Sequence, residues 1–173
     1  EVVSYNLTLF ASFVLSGLGM YLLVLYLTRS RLAGLFSGIV FAFCPYRMGH
    51  MGAGHLPLMG TQWLPLMLLY LDRTRISQRS RDAFMAGLFY ALSALSAWYY
   101  AYIFGLAALT YLALRTWPWR VTLRQRALWR CGLVFVAVSL ILVGPVALSM
   151  VDVFREGSRP QSLRYVDQFS ASP

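Results

Sequence analysis

The residues best suited to chemistry lie in one stretch, residues 45–63, PYRMGHMGAGHLPLMGTQW. It holds the only two histidines of the chain among other polar side chains: Tyr46, Arg47, His50, His55 and Gln62. Guanidinium and imidazole N–H groups suit a phosphate or pyrophosphate, and an imidazole can also carry a proton. The stretch therefore predicts a site for a phosphate-bearing ligand, provided that the rest of the chain places it in a cavity.

The same residues also have structural explanations. Arg47 follows Pro45 closely, and an arginine near a membrane interface can extend its head to water. The two histidines could cap helix ends or bind lipid headgroups. On a continuous helix, residues five apart lie about 140° apart, and the neighbouring glycines favour a loop. Zinc needs further ligands, and only Cys44 is near, so a divalent metal stays an open alternative and no cofactor is assigned.

The composition predicts a membrane protein. Of 173 residues, 59% are hydrophobic and 12% are charged, and the mean hydropathy is +0.61. Soluble domains are less apolar and carry about twice as many charges. The basic residues are all arginines and fall in short runs between apolar segments, which is typical of cytoplasmic loops. We therefore expect a lipid bilayer as partner and no nucleic acid.

The apolar segments predict an all-α fold, a polytopic transmembrane bundle of about six mostly short helices. The predicted spans are residues 7–28, 32–44, 58–71, 83–96, 99–114 and 131–151. Residues 83–114 lack charge, but one helix of that length would measure about 48 Å, more than a bilayer core. A break near Ser96–Tyr100 is therefore expected. Residues 1–151 form the membrane domain, and residues 152–173 begin an extracytoplasmic loop or domain.

The arginines predict the orientation of the bundle. Eleven of the 15 lie in three predicted loops, residues 29–31, 72–82 and 115–130. An excess of basic residues marks the cytoplasmic side. Residues 45–63 and 152–173 are then extracytoplasmic.

Gln62 and three further residues are candidates for the outer cavity. Gln62 lies in an apolar helix and needs a polar partner or a cavity. Trp98, Tyr99 and Tyr100 suit an aromatic belt at the interface, and alternatively a wall for sugar rings or a polyprenyl chain.

Several of these segments resemble a known family of membrane enzymes. They are residues 41–50 (FAFCPYRMGH), His55, residues 61–66 (TQWLPL), residues 96–100 (SAWYY), and the tail residues 155–158 and 169–171. Together they resemble bacterial GT-C-type membrane glycosyltransferases, in particular the YfhO-like group, which is distantly similar to the protein O-mannosyltransferases. The resemblance covers nearly the whole chain.

This resemblance implies a function. Such enzymes transfer a sugar from a polyprenyl-phosphate donor to an acceptor on the outer face of the bacterial inner membrane. Their acidic catalytic residue follows the first span, which here would precede residue 1, so we expect a fragment of a larger GT-C-like membrane domain. Tyr46, Arg47, His50, His55 and Gln62 become cavity residues near the donor phosphate.

Two alternatives from other classes stay open. A transporter or flippase for a lipid-linked or polar solute would show inverted repeats and ionisable groups at mid-bilayer. A non-catalytic membrane assembly subunit would need neither.

Overall fold

A computed structural model describes residues 2–116 and 125–155, and within them all regular structure is helical. The helices are α1 (Val2–Thr28), α2 (Arg31–Ala42), α3 (Pro45–Gly52), a 3₁₀ segment (Leu56–Gln62), α4 (Trp63–Ser77), α5 (Ser80–Ser96), α6 (Trp98–Arg115) and α7 (Arg126–Arg155). The chain divides into two compact units, residues 1–143 and residues 144–173. The described part of the second unit is the end of α7, so the candidate site is built from the first unit.

Two short breaks shape the first half of the chain. Proline lacks an N–H and disfavours a helical conformation in the residue before it. Cys44 is accordingly extended, with φ −64° and ψ 153°, and Pro45 begins α3 at the first helical position. Between α1 and α2, Arg29 takes a left-handed conformation with φ 60°. The Ser30 hydroxyl then accepts a hydrogen bond from the amide of Ala33 and caps α2.

Glycines allow α1 and α2 to lie in direct backbone contact. A Cβ on Gly38 would lie 2.7 Å from the Gly17 carbonyl oxygen, a distance that real Cβ atoms do not adopt. Small residues at such a contact are the usual means by which membrane helices approach closely.

The apolar core of the first unit lies between α4, α5 and α6. Its buried members are Met67, Leu71, Ala86, Tyr100, Phe104 and Ala108. The first half of α7 packs against α5, where a Cβ on Gly87 would lie 2.8 Å from the Phe135 carbonyl oxygen. This core fixes α6, which begins at Trp98 after an extended residue, Ala97, with φ −158° and ψ 131°.

Several local expectations from the sequence are corrected. Residues 45–63 are not a loop, because most of them form α3 and the 3₁₀ segment. Residues 58–62 precede α4, which begins at Trp63 and continues through the polar run to Ser77. The arginine-rich loop at residues 72–82 therefore shrinks to the connection at Gln78 and Arg79. The cytoplasmic placement of residues 117–124 and the extracytoplasmic placement of residues 156–173 fall outside the described residues.

Among the residues that the structure describes, three helical stretches are long and apolar enough to cross a membrane. They are Val2–Thr28, Arg31–Gly52 (which joins α2 and α3 across the break) and Arg126–Asp152. Their surfaces carry large apolar side chains that the fold leaves exposed, such as Phe10, Phe36 and Leu133. Extensive exposed apolar surface marks contact with a membrane or another protein.

Candidate functional site: a tyrosine–histidine cluster

Five of the predicted site residues meet at one end of the bundle, although α3 and α6 are far apart in sequence. We call them the tyrosine–histidine cluster: Tyr46, His50, His55, Tyr99 and Tyr100. The Tyr46 hydroxyl lies 3.0 Å from that of Tyr99 and 3.1 Å from that of Tyr100. The Tyr46 ring meets the His50 imidazole edge to face, with centroids 4.5 Å apart. Side-chain contacts between α3 and the start of α6 therefore create the cluster.

The hydrogen bonds of the three phenols have one direction. Tyr100 donates to the Leu58 carbonyl oxygen at 2.6 Å, and a phenol has a single O–H. Tyr100 must therefore accept from Tyr46, and Tyr46 in turn accepts from Tyr99. The relay leaves the lone pairs of Tyr99 at its outer end. Tyr46 is 43% exposed and Tyr99 is 38% exposed, whereas Tyr100 is buried, so the accessible end of the relay is an acceptor.

The two histidines lie side by side. His50 Nδ1 is 3.3 Å from His55 Nδ1. One continuous helix would separate residues five apart, but α3 ends at Gly52, between the two histidines. Gly54 then adopts φ +71°, and the amide of His55 donates to the His50 carbonyl oxygen at 3.0 Å. A left-handed residue without a Cβ penalty thus turns the chain back onto itself.

Arg47 lies inside the bundle, at 0% exposure. Its Nε donates to the Ala42 carbonyl oxygen at 3.1 Å, and Nη2 donates to the Ser12 hydroxyl at 2.8 Å. Nη1 donates to the Met59 carbonyl oxygen at 2.8 Å and to the Thr61 hydroxyl at 2.6 Å. Four of the five guanidinium N–H groups are thereby used by the protein. Contact between Arg47 and a phosphate stays a prediction.

The arginine joins three elements. Ala42 is the last residue of α2, so its carbonyl is one of those that a helix leaves unpaired at its C-terminus, where a positive charge is also favourable. Ser12 lies on α1, and Thr61 lies in the 3₁₀ segment. The guanidinium carbon also lies 4.7 Å from the centre of the Phe13 ring, an attractive cation–π contact. Arg47 therefore positions α3, which carries Tyr46 and His50.

The 3₁₀ segment also packs closely against the end of α5. A Cβ on Gly60 would lie 2.5 Å from the Cβ of Ser96, the last residue of α5. The Tyr100 bond to Leu58 ties the same segment to α6. The end of the bundle that carries the cluster is thus a fixed arrangement of α3, the 3₁₀ segment and α6.

Two predicted site residues lie apart from the cluster. Gln62 is buried at the end of the 3₁₀ segment, and its Oε1 has no partner in the described part of the chain. Its backbone faces α1, since a Cβ on Gly19 would lie 3.4 Å from the Gln62 carbonyl oxygen. Trp98 is half-buried at the start of α6. Substrate binding by either residue stays a prediction.

Sequence reasoning missed a charged cluster at the other end of α4 and α6. Arg75 and Arg115 both direct Nε at Asp72 Oδ1, at 3.1 and 3.4 Å, and Asp72 is buried. The bond to this carboxylate raises the pKa of Arg115. Close by in sequence, Asp82 pairs with Arg73 at 3.4 Å. The sequence did contain a signal for this cluster, because Asp72 and Asp82 lie at the two ends of the arginine run. A count of net charge alone does not show this pairing.

The described residues offer too few ligands in one place for a metal held by the protein. His50 and His55 offer two nitrogens, and within residues 2–116 and 125–155 no group of three or more histidine, cysteine or acidic side chains lies together. A protein-held zinc uses three or four such ligands.

Comparison with known families gives one result. A protein-family profile described as "Domain of unknown function (DUF6311)" matches residues 4–172. The chain belongs to this family, whose match extends from α1 through α7. No curated protein and no solved structure matches the chain.

Proposed function

We propose that the chain is part of an integral membrane glycosyltransferase that uses a polyprenyl-phosphate sugar, and that the tyrosine–histidine cluster binds the polar head of this donor. The observation that carries the proposal is the phenol relay, whose exposed end at Tyr99 offers lone pairs. Sugars present many hydroxyl donors, and aromatic rings offer them flat apolar surface. What further supports the proposal is the similarity of residues 41–66 to GT-C-type enzymes.

Each part of the cluster has a task in this proposal. Tyr99 accepts a hydrogen bond from a sugar hydroxyl, and the Tyr46 and Tyr99 rings contact the sugar ring. The imidazoles of His50 and His55 contact the phosphate, since an imidazole N–H is a suitable donor to an anionic oxygen. Arg47 holds α3 in place through its protein contacts and acts on the substrate only through the residues that it positions.

The reaction follows from the resemblance. An acceptor oxygen bonds to the anomeric carbon while the bond from that carbon to the phosphate oxygen breaks. The proton of the acceptor passes to a carboxylate that acts as the general base and lies outside this chain, and the polyprenyl phosphate leaves. Donors placed where negative charge develops on the leaving phosphate stabilise the transition state, which is the contribution proposed for the histidines.

Binding is the sharper test, because it does not require the acidic base. The chain in proteoliposomes would be titrated with a radiolabelled polyprenyl-phosphate sugar. Replacing Tyr99→Phe removes the exposed acceptor and should weaken binding about three- to tenfold, the value of one hydrogen bond. Tyr102→Phe is the matched control, since Tyr102 lies on the same helix, is exposed and lies outside the cluster. It should bind as the wild type does.

A second variant tests the phosphate contacts. His50→Ala should weaken binding of the phosphorylated donor but leave binding of the free sugar unchanged. If Tyr99→Phe and His50→Ala both bind the donor like the wild type, the cluster is not the donor site.

A further inference from the structure

A groove in the first unit lies away from the tyrosine–histidine cluster. It has a volume of about 600 Å³ and is lined by α4, α5, α6 and the first half of α7. Ligand pockets in proteins span roughly 300–1,000 Å³, so the groove is large enough to take a ligand. On its rim, Leu109 on α6 is 68% exposed and Leu140 on α7 is 64% exposed. The groove therefore opens sideways, where a membrane helix faces lipid.

The walls of the groove present no unbonded hydroxyl hydrogen to a ligand, although some lining residues carry hydroxyls. Four of the lining residues carry hydroxyls. Three of them donate to a carbonyl four residues earlier in the chain, namely Thr74, Thr116 and Ser139, and the Tyr90 hydroxyl donates to the Ala101 carbonyl oxygen at 2.9 Å. Such internal bonds leave no hydroxyl hydrogen directed into the groove. The remaining lining is largely leucine, alanine, glycine and aromatic side chains. A hydrocarbon chain is the ligand that such walls accommodate without stranding polar groups.

One end of the groove carries surplus positive charge. Arg75 lines it and shares the single carboxylate of Asp72 with Arg115. Two guanidinium groups on one carboxylate leave a net charge of about +1. The contacts use Nε of each arginine, so the carboxylate does not occupy the terminal nitrogens. Arg126 and Arg130, at the start of α7, are exposed at the same end.

We propose that this groove binds one acyl chain of an anionic glycerophospholipid, with the lipid phosphate at Arg75 and Arg115. The apolar walls select a hydrocarbon chain, and the surplus charge at one end selects an anionic headgroup. Basic pockets between membrane helices on the cytoplasmic side bind anionic lipid headgroups in other proteins, and the arginine distribution predicts that side for this end. The inference does not rest on the proposed glycosyltransferase activity, because the two sites share no residue.

The test uses the whole chain in detergent, titrated with dioleoyl-phosphatidylglycerol and dioleoyl-phosphatidylcholine and read by native mass spectrometry. Phosphatidylglycerol should bind at least about tenfold more tightly, because a charge-assisted contact is worth about one decade of affinity. Equal affinity for the two lipids would overturn the proposed headgroup site.

Two pairs of variants separate binding from folding. Gly132 lines the groove, and a Cβ there would meet no atom within 4 Å, so Gly132→Trp should fill the groove and abolish binding. Leu133→Trp is its control, since Leu133 is exposed on the same helix and is not in the lining. Arg75→Gln should weaken binding of phosphatidylglycerol about tenfold. Asp72→Asn should preserve or strengthen it, because it removes the opposing negative charge.

A purely structural role for the charged cluster would weaken binding in Arg75→Gln and Asp72→Asn alike, and that result would contradict the proposal. So would wild-type affinity in Gly132→Trp. If the groove is instead covered by a second copy of the chain, the mass spectrum will show dimers that Gly132→Trp dissociates, and the lipid site is refuted.

Discussion

Arg47 offers the most direct test of how the site is built. Replacing it by methionine keeps a long side chain in place but removes all four hydrogen bonds. The Ser12 and Thr61 hydroxyls can turn to other acceptors, as serine and threonine do in helices. The carbonyl oxygens of Ala42 and Met59 remain unpaired in an apolar interior, and each such group costs about 1–3 kcal/mol. Part of this loss is offset, since methionine does not bury a cation.

We therefore expect Arg47→Met to lower the free energy of unfolding by about 2–5 kcal/mol. For a chain of this length, one kcal/mol corresponds to about 2–4 °C in Tm, so a decrease of roughly 5–15 °C should be seen by circular dichroism in detergent. Arg31→Met is the control, because Arg31 is exposed at the start of α2. Its effect should stay within about 0.5 kcal/mol.

The result can refute the positioning role. If Arg47→Met and Arg31→Met melt at the same temperature while Arg47→Met loses donor binding, the guanidinium serves the ligand and not the fold. The variant Arg47→Lys provides a second test of the same role. It retains the charge but offers three donors without the planar fork, so its stability should lie between those of the wild type and Arg47→Met.

Substitutions at glycines provide three further predictions, two on packing and one on orientation. Gly60→Ala should destabilise the chain by about 1–2 kcal/mol by overpacking, because its Cβ would lie 2.5 Å from that of Ser96; thermal unfolding should show no loss for Gly52→Ala, where the space is open. At the contact of α1 and α2, Gly38→Ala should lower Tm more than Gly17→Ala, whose Cβ would lie at an ordinary 3.5 Å from the facing carbonyl, and equal effects would contradict this packing. Gly52→Cys, in a background without other cysteines, should react with an impermeant maleimide from the extracytoplasmic side, and labelling only from the cytoplasm would reverse the predicted orientation.

The helical class and the breaks at Pro45 and Ala97 could be read from the sequence because they depend on local chemistry. The bounds of α4 and α7 could not. Pro45 disfavours a continuous helix because it lacks an N–H and restricts the residue before it. An apolar run as long as residues 83–114 must break to match a bilayer, and the structure breaks it at Ala97. These features need no knowledge of distant residues.

The glycines of residues 45–63 wrongly predicted a loop, because helix propensity is a weak guide in this stretch. Each glycine in a helix costs about 0.5–1 kcal/mol relative to alanine, and Gly49 lies inside α3 nevertheless. Tertiary contacts outweigh that cost, since Arg47 anchors the helix to α1 and to the 3₁₀ segment. The direction of Arg47 depends on Ser12, 35 residues earlier, and no local pattern could reveal it.

The contacts among the site residues could be predicted only in part from the sequence. The sequence named Tyr46, His50, Tyr99 and Tyr100 as candidates from their position near predicted interfaces. Their contacts require the Tyr46 side chain on α3 to reach the start of α6. The position of α6 depends in turn on the core between α4, α5 and α6. The relay direction could be assigned only after Tyr100 was found on the Leu58 carbonyl.

The burial of Arg47 also constrains how the chain enters a membrane. An arginine without partners disfavours insertion by about 2.5–3.5 kcal/mol at the centre of a span, and by less at Arg47, which lies near the end of the Arg31–Gly52 stretch. Ser12 precedes it, but Met59 and Thr61 are synthesised only 12 and 14 residues later. Stable integration of α2 and α3 should therefore wait for the 3₁₀ segment. In a cell-free translocation assay, a chain truncated after Gly52 should resist alkaline extraction less than one truncated after Ser77, and equal resistance would show that α2 and α3 insert independently.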